Sequence, residues 1–158
     1  MNSLQDVLDE KAKANALLKE NNHKAELAYK KLIEDIDNLL KNENVENRNE
    51  IEQKKFIMSN LAFSLKKQYK ISEGMKYDRI IIKKLDKKFA KSYARLIEGY
   101  MDYDKLSMAR YHYDLMKANV DQEIIDQCSE VINKLKEKLK TKDQEVDNIM
   151  MLKNLFQK

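Results

Sequence analysis

A chain of 158 residues with no proline and only two glycines, Gly74 and Gly99, has little with which to break a helix or close a tight hairpin. Charged residues make up 37% of it, so it can carry long solvated helix faces, and sheet is disfavoured. The apolar residues recur at helical spacing. Ala25, Ala28, Tyr29, Leu32, Ile33, Ile36, Leu39 and Leu40 form one stripe, and Ile124, Ile125, Cys128, Val131, Ile132, Leu135 and Leu139 another. Polar interruptions at 41–50, 70–73, 86–88, 102–105 and 119–122 divide the chain into about seven helices. They are expected near 4–20, 24–40, 52–67, 73–85, 89–101, 105–117 and 122–140, with a basic, apolar-dotted tail over 141–158. Helices joined so tightly must pack antiparallel.

The length suits one domain, 1–158, large enough to bury a core without staples. Cys128 is the only cysteine, which excludes a disulfide framework and points to a reducing compartment. It sits in an apolar stripe and reads as a small buried hydrophobe, with only His23 and His112 as conceivable bases. The first residues have no apolar run and carry acids early, unlike a leader peptide, and no segment approaches membrane-spanning length. A cytoplasmic address, possible also in the nucleus, is expected. The net charge of +4 comes from 31 basic and 27 acidic residues that are interleaved, a weak footprint for nucleic acid. Neither a nucleic-acid nor a membrane partner is expected. No glycine-rich phosphate loop, metal-ligand cluster or nucleophile–base pattern is present, so no enzyme activity and no cofactor are expected.

Internal repetition along the chain points to a solenoid rather than a simple helix bundle. In Lys91 to Met116, the residues Tyr93, Leu96, Tyr100, Leu106, Ala109, Tyr113 and Met116 occupy the spaced large and small positions of a tetratricopeptide repeat, which this unit resembles. The stretch Asn60 to Asp86 repeats the scheme with Leu61, Ala62, Leu65, Gly74, Asp78 and Ile81, Gly74 standing where a small residue belongs. A looser unit around Asn15 to Ile33 pairs Ala25 with Tyr29. The resemblance implies an all-α fold of three tandem repeats, at 4–40, 52–85 and 89–117, forming a right-handed superhelix. A helix near 122–140 then caps the open apolar face of the last repeat.

On the inner helices of such an array stand Lys11 and Asn15, then Asn60, then Lys91 and Arg95. Lys11 with Asn15, and Lys91 with Arg95, are each one helical turn apart and project from one face. The segments K-A-K-A-N, N-L-A and K-S-Y-A-R resemble the dicarboxylate clamp of tetratricopeptide co-chaperones, with a layout similar to the repeat domain of large immunophilins. By that resemblance Lys11, Asn15 and Asn60 hold the terminal carboxylate of an acidic peptide ending EEVD, the tail of heat-shock protein 90 or 70. Lys91 and Arg95 would meet the Asp side chain and the peptide backbone. Arginine can donate as a fork and lysine only as a point charge, so the two are not equivalent.

The ending Asn148 to Lys158 is loosely similar to the final helix of those immunophilins. Its Met150, Leu152, Leu155 and Phe156 are a candidate second site, for calmodulin or another protein, set against a capping extension over the repeats. Rival readings are a generic repeat scaffold in which the clamp residues are incidental, and an RNA-binding helical repeat whose affinity would fall steeply with salt.

Overall fold

The computed structural model describes residues 3–42 and 48–157, and among these the chain is helical with no strand. The helices are α1 (Leu4–Glu20), α2 (Asn22–Asn42), α3 (Arg48–Lys67), α4 (Ile71–Ile80), α5 (Ala90–Asp102), α6 (Leu106–Asn119), α7 (Gln122–Asp126) and α8 (Ser129–Phe156). Part of the polar connection expected over 41–50, residues 43–47, lies outside the described residues.

From α1 to α6 each helix packs mainly on its neighbours in sequence, α1 also touches α3, and α8 packs back on α5 and α6. Cross-links show that α2 runs antiparallel to α3 and α4 to α5. Asp37 pairs with Lys54 at 2.6 Å where α2 ends and α3 begins, while Glu26 near the start of α2 meets Gln68 just past the end of α3. Between α4 and α5, Gly99 faces Met75 while Arg95 faces Asp78, so position falls on one helix as it rises on the other.

Local chemistry explains the ends. Ser3 caps α1 by accepting the Asp6 amide, and Asn21 stops it in extended backbone while its Oδ1 accepts from the Lys24 amide to start α2. Without glycine at the later turns, Tyr69 (φ 61°) and Asp104 (φ 55°) take the left-handed conformation that lets α3 and α5 end abruptly, a strained choice for residues with a Cβ.

The helix expected over 73–85 is α-helical only to Ile80. Residues Ile81–Leu85 form a π-helical turn, closed by the Asp86 amide on the Ile81 carbonyl at 2.8 Å. Ile81 and Ile82, at the start of this turn, are both buried. The helix expected over 122–140 is likewise broken. Bonds from Gln127 and Cys128 back to Ile124 and Ile125 tighten the chain between α7 and α8, and Ile125, Ile132 and Leu135 on either side are buried.

Among the described residues, two apolar clusters form the core. Val7, Ala14, Ala25, Tyr29, Leu32, Ile36, Ile57, Leu61 and Leu65 knit α1, α2 and α3, while Tyr93, Leu96, Ile97, Ala109, Met116, Ile125 and Leu135 knit α5 through α8. Gly74 joins the halves: its Cα side lies so near α3 that a Cβ would stand 3.0 Å from the Ala62 carbonyl oxygen. Polar pairs reinforce the seam. Buried Glu26 accepts from Lys30 at 2.7 Å, Lys70 at 2.9 Å and Gln68 at 3.0 Å, and Lys30 also reaches Glu73 at 2.9 Å. Those donors hold the Glu26 carboxyl down at about 2 against the cost of burial. From Lys140 to Gln157 every residue of α8 and its end is exposed, so the part of α8 that packs on the other helices stops at Leu139.

Candidate functional site

The polar residues singled out in the sequence gather along α1, α3 and α5. On α1, Lys11 donates to Gln53 Oε1 of α3 at 2.9 Å, and its ammonium lies 5.2 Å from the centre of the Phe56 ring. Partial burial pulls Lys11 below its ordinary pKa, a cost that an arriving carboxylate would offset.

One turn on, Asn15 Oδ1 accepts two hydrogen bonds, from the Tyr29 hydroxyl at 2.6 Å and from Asn60 Nδ2 at 3.0 Å. Tyr29 is fully buried, and burial pushes its hydroxyl up to about 12, with Asn60 opposing, so it stays a donor. A saturated Oδ1 leaves the Nδ2 hydrogens of Asn15 as the group it offers a ligand. The expected neighbours Asn15 and Asn60 are therefore in direct contact, and Tyr29, read from sequence as a packing aromatic, orients the pair.

Arg95 is differently placed. Its Nε donates to both Asp78 oxygens, at 3.2 and 3.0 Å, and Nη2 donates to Asp78 Oδ1 at 2.8 Å and to Ser59 Oγ at 2.8 Å. Ser92 Oγ donates to Asp78 Oδ1 at 2.8 Å. Asp78 is 1% exposed, and burial raises its pKa against the pull of Arg95 and Ser92. Ser59 is the chain neighbour of Asn60, so Arg95 reaches the same turn of α3 that carries the asparagine contact. Lys91 is exposed and makes no hydrogen bond or ion pair among the described residues.

Beside this row lies a feature not foreseen from the sequence. Lys55 pairs with Asp86 at 3.0 Å and sits 4.7 Å from the Phe56 ring centre and 5.1 Å from that of Phe89, the two rings meeting edge to face at 6.1 Å. Phe56 precedes Asn60 by one turn, a spacing legible in the sequence, but the partner Phe89 comes from the connection before α5. Asp78 and Ser92 also went unrecognised as part of the site. The available signal was an acid inside an otherwise apolar stripe of α4, at helical spacing from Met75 and Ile82.

The histidines and the cysteine stand elsewhere. His112 is buried, donates from Nδ1 to the Met108 carbonyl at 2.8 Å and stacks on Tyr100, while burial lowers its pKa. His23 lies 3.7 Å from Glu26, and burial pushes the Cys128 thiol up. Met150, Leu152, Leu155 and Phe156 are on the free end of α8, exposed by 58, 54, 67 and 87%. Leu152, Leu155 and Phe156 share one face of the helix at the i, i+3, i+4 spacing, while Met150, two residues before Leu152, projects to the other side. No described helix is long and apolar enough to cross a membrane. Searches of protein-family models, curated proteins and solved structures return no match to this chain.

Proposed function

We propose that the chain is a non-catalytic adaptor whose α1–α3–α5 face receives the C-terminal carboxylates of an acidic peptide, of the EEVD type that ends heat-shock proteins 90 and 70. In this reading the helices pair as three tetratricopeptide repeats, α1 with α2, α3 with α4 and α5 with α6, and α7 with the first turns of α8 form the cap. Neighbour-on-neighbour packing from α1 to α6, with α8 lying on α5 and α6, supports that arrangement, as do the close approach at Gly74 and the fully buried Ala109, which stand at the small positions of their units. A cytoplasmic or nuclear setting goes with it.

The observation that carries the proposal is the contact between Asn15 and Asn60, fixed by Tyr29, with Lys11 on the same two helices and Arg95 reaching the adjacent Ser59. Separate helices thus supply cationic and amide donors close together, a chemistry suited to carboxylates. Hydrogen bonds to charged groups contribute about 1.5–3 kcal/mol each before ordering costs, and a few of them suffice for micromolar binding of a disordered tail, about −8 kcal/mol.

Isothermal titration with a short peptide ending MEEVD, beside the same peptide amidated at its C-terminus, tests this. Micromolar affinity is expected, lost on amidation and weakened at least tenfold in Lys91→Ala. Equal binding of both peptides, or binding of neither, would leave a repeat scaffold with another ligand.

A further inference from the structure

We infer that Asp78 governs what Arg95 contributes to the proposed groove: it anchors one edge of the guanidinium and neutralises its charge, leaving Lys91 as the cation of α5 that draws in a carboxylate. This inference rests on the clamp reading and says which of the two α5 cations does the electrostatic work.

The geometry is one-sided. Asp78 engages Nε and Nη2, Ser59 takes a further bond from Nη2, and Nη1 has no hydrogen-bond partner among the described residues. A guanidinium held along one edge is a rigid donor whose remaining edge points in a set direction. Its field, however, is largely cancelled by a carboxylate that is 1% exposed and held at 2.8 Å, where solvent screens the pair little. Lys91, one turn earlier on α5, is exposed and has no acid partner among the described residues. Lys11 is tied to a neutral amide, Gln53, and has no acid partner among the described residues. A peptide carboxylate approaching this row therefore meets Lys11 and Lys91 as charges and Arg95 as a directional donor. Asp78 is a positioning residue that also limits the affinity for acidic ligands.

The test compares wild type, Asp78→Asn and Ser59→Ala by titration with the MEEVD peptide at several salt concentrations. Asparagine preserves the shape and an acceptor for Arg95 while removing the charge. D78N should bind at least threefold more tightly, with a steeper fall in affinity as salt rises, because an uncompensated cation has been added to the groove. Ser59→Ala, which loosens the same Nη2 without altering charge, should leave the salt dependence as it is. Unchanged or weaker binding by folded D78N would overturn the inference. A readout independent of any peptide is the Arg95 Nε–H signal in the nuclear magnetic resonance spectrum of the wild-type chain. Slow exchange with solvent supports the anchored edge, and fast exchange overturns it, even where D78N fails to fold. Failure of the clamp reading shows separately, as absence of wild-type peptide binding alongside a protected Nε–H.

Discussion

Replacing Glu26 with Gln isolates the polar junction that ties α2 to α3 and α4. The carboxylate is 3% exposed and accepts from Lys30, Lys70 and Gln68, which hold its pKa at about 2 against an ordinary 4.5. A depression of that size corresponds to about 3 kcal/mol of folding free energy. Lys30 and Lys70 are 35% and 41% exposed, so solvent screens their side of the interaction, and about 2 kcal/mol is the better figure. The same exposure means that neither lysine is stranded when the acid is removed, and Lys30 keeps Glu73. The carboxyl is held below its unfolded pKa. Its contribution is therefore fully present above about pH 4.5 and is lost as pH falls toward 2. Urea unfolding of wild type and Glu26→Gln across pH 3–7 should show the variant about 2 kcal/mol less stable at pH 7, the gap narrowing steadily below pH 4.5. A variant as stable as wild type at pH 7, or a gap constant with pH, would refute the reasoning.

Two further substitutions probe the packing. Gly74→Ala places a Cβ 3.0 Å from the Ala62 carbonyl oxygen, which is backbone and cannot swing aside, so α3 and α4 must part slightly. The strain, about 1–3 kcal/mol, should outweigh the roughly 1 kcal/mol of helix propensity gained, and a thermal melt should show a lower midpoint, whereas a higher one would contradict the close approach. Leu135 is fully buried and Leu155 is 67% exposed on the same helix. Leu135→Ala should cost about 2–5 kcal/mol in urea unfolding and Leu155→Ala less than about 0.5, with fast amide hydrogen exchange beyond Leu139.

Helix number and placement were largely legible in the sequence because helix formation is governed by short-range spacing. The stripes through Ala25–Leu40 and Ile124–Leu139 recur within single turns, and the scarcity of glycine and proline limits where the chain can stop. The departures are the π turn at 81–85 and the break at 127–128. Both are closed by local backbone hydrogen bonds, from Asp86 to Ile81 and from Gln127 and Cys128 to Ile124 and Ile125, which the spacing of apolar residues does not report. For the site, spacing along one helix placed Lys11 beside Asn15 and Lys91 beside Arg95. Tertiary structure alone decided that Asn15 meets Asn60, that Tyr29 fixes their orientation, and that Arg95 turns to Asp78 while Lys91 remains open. Periodicity reports which face of a helix a side chain occupies. Whether a charge on that face finds an internal counter-ion depends on residues more than a turn away in sequence and less than 3 Å away in space, which only the packing of α3, α4 and α5 brings together.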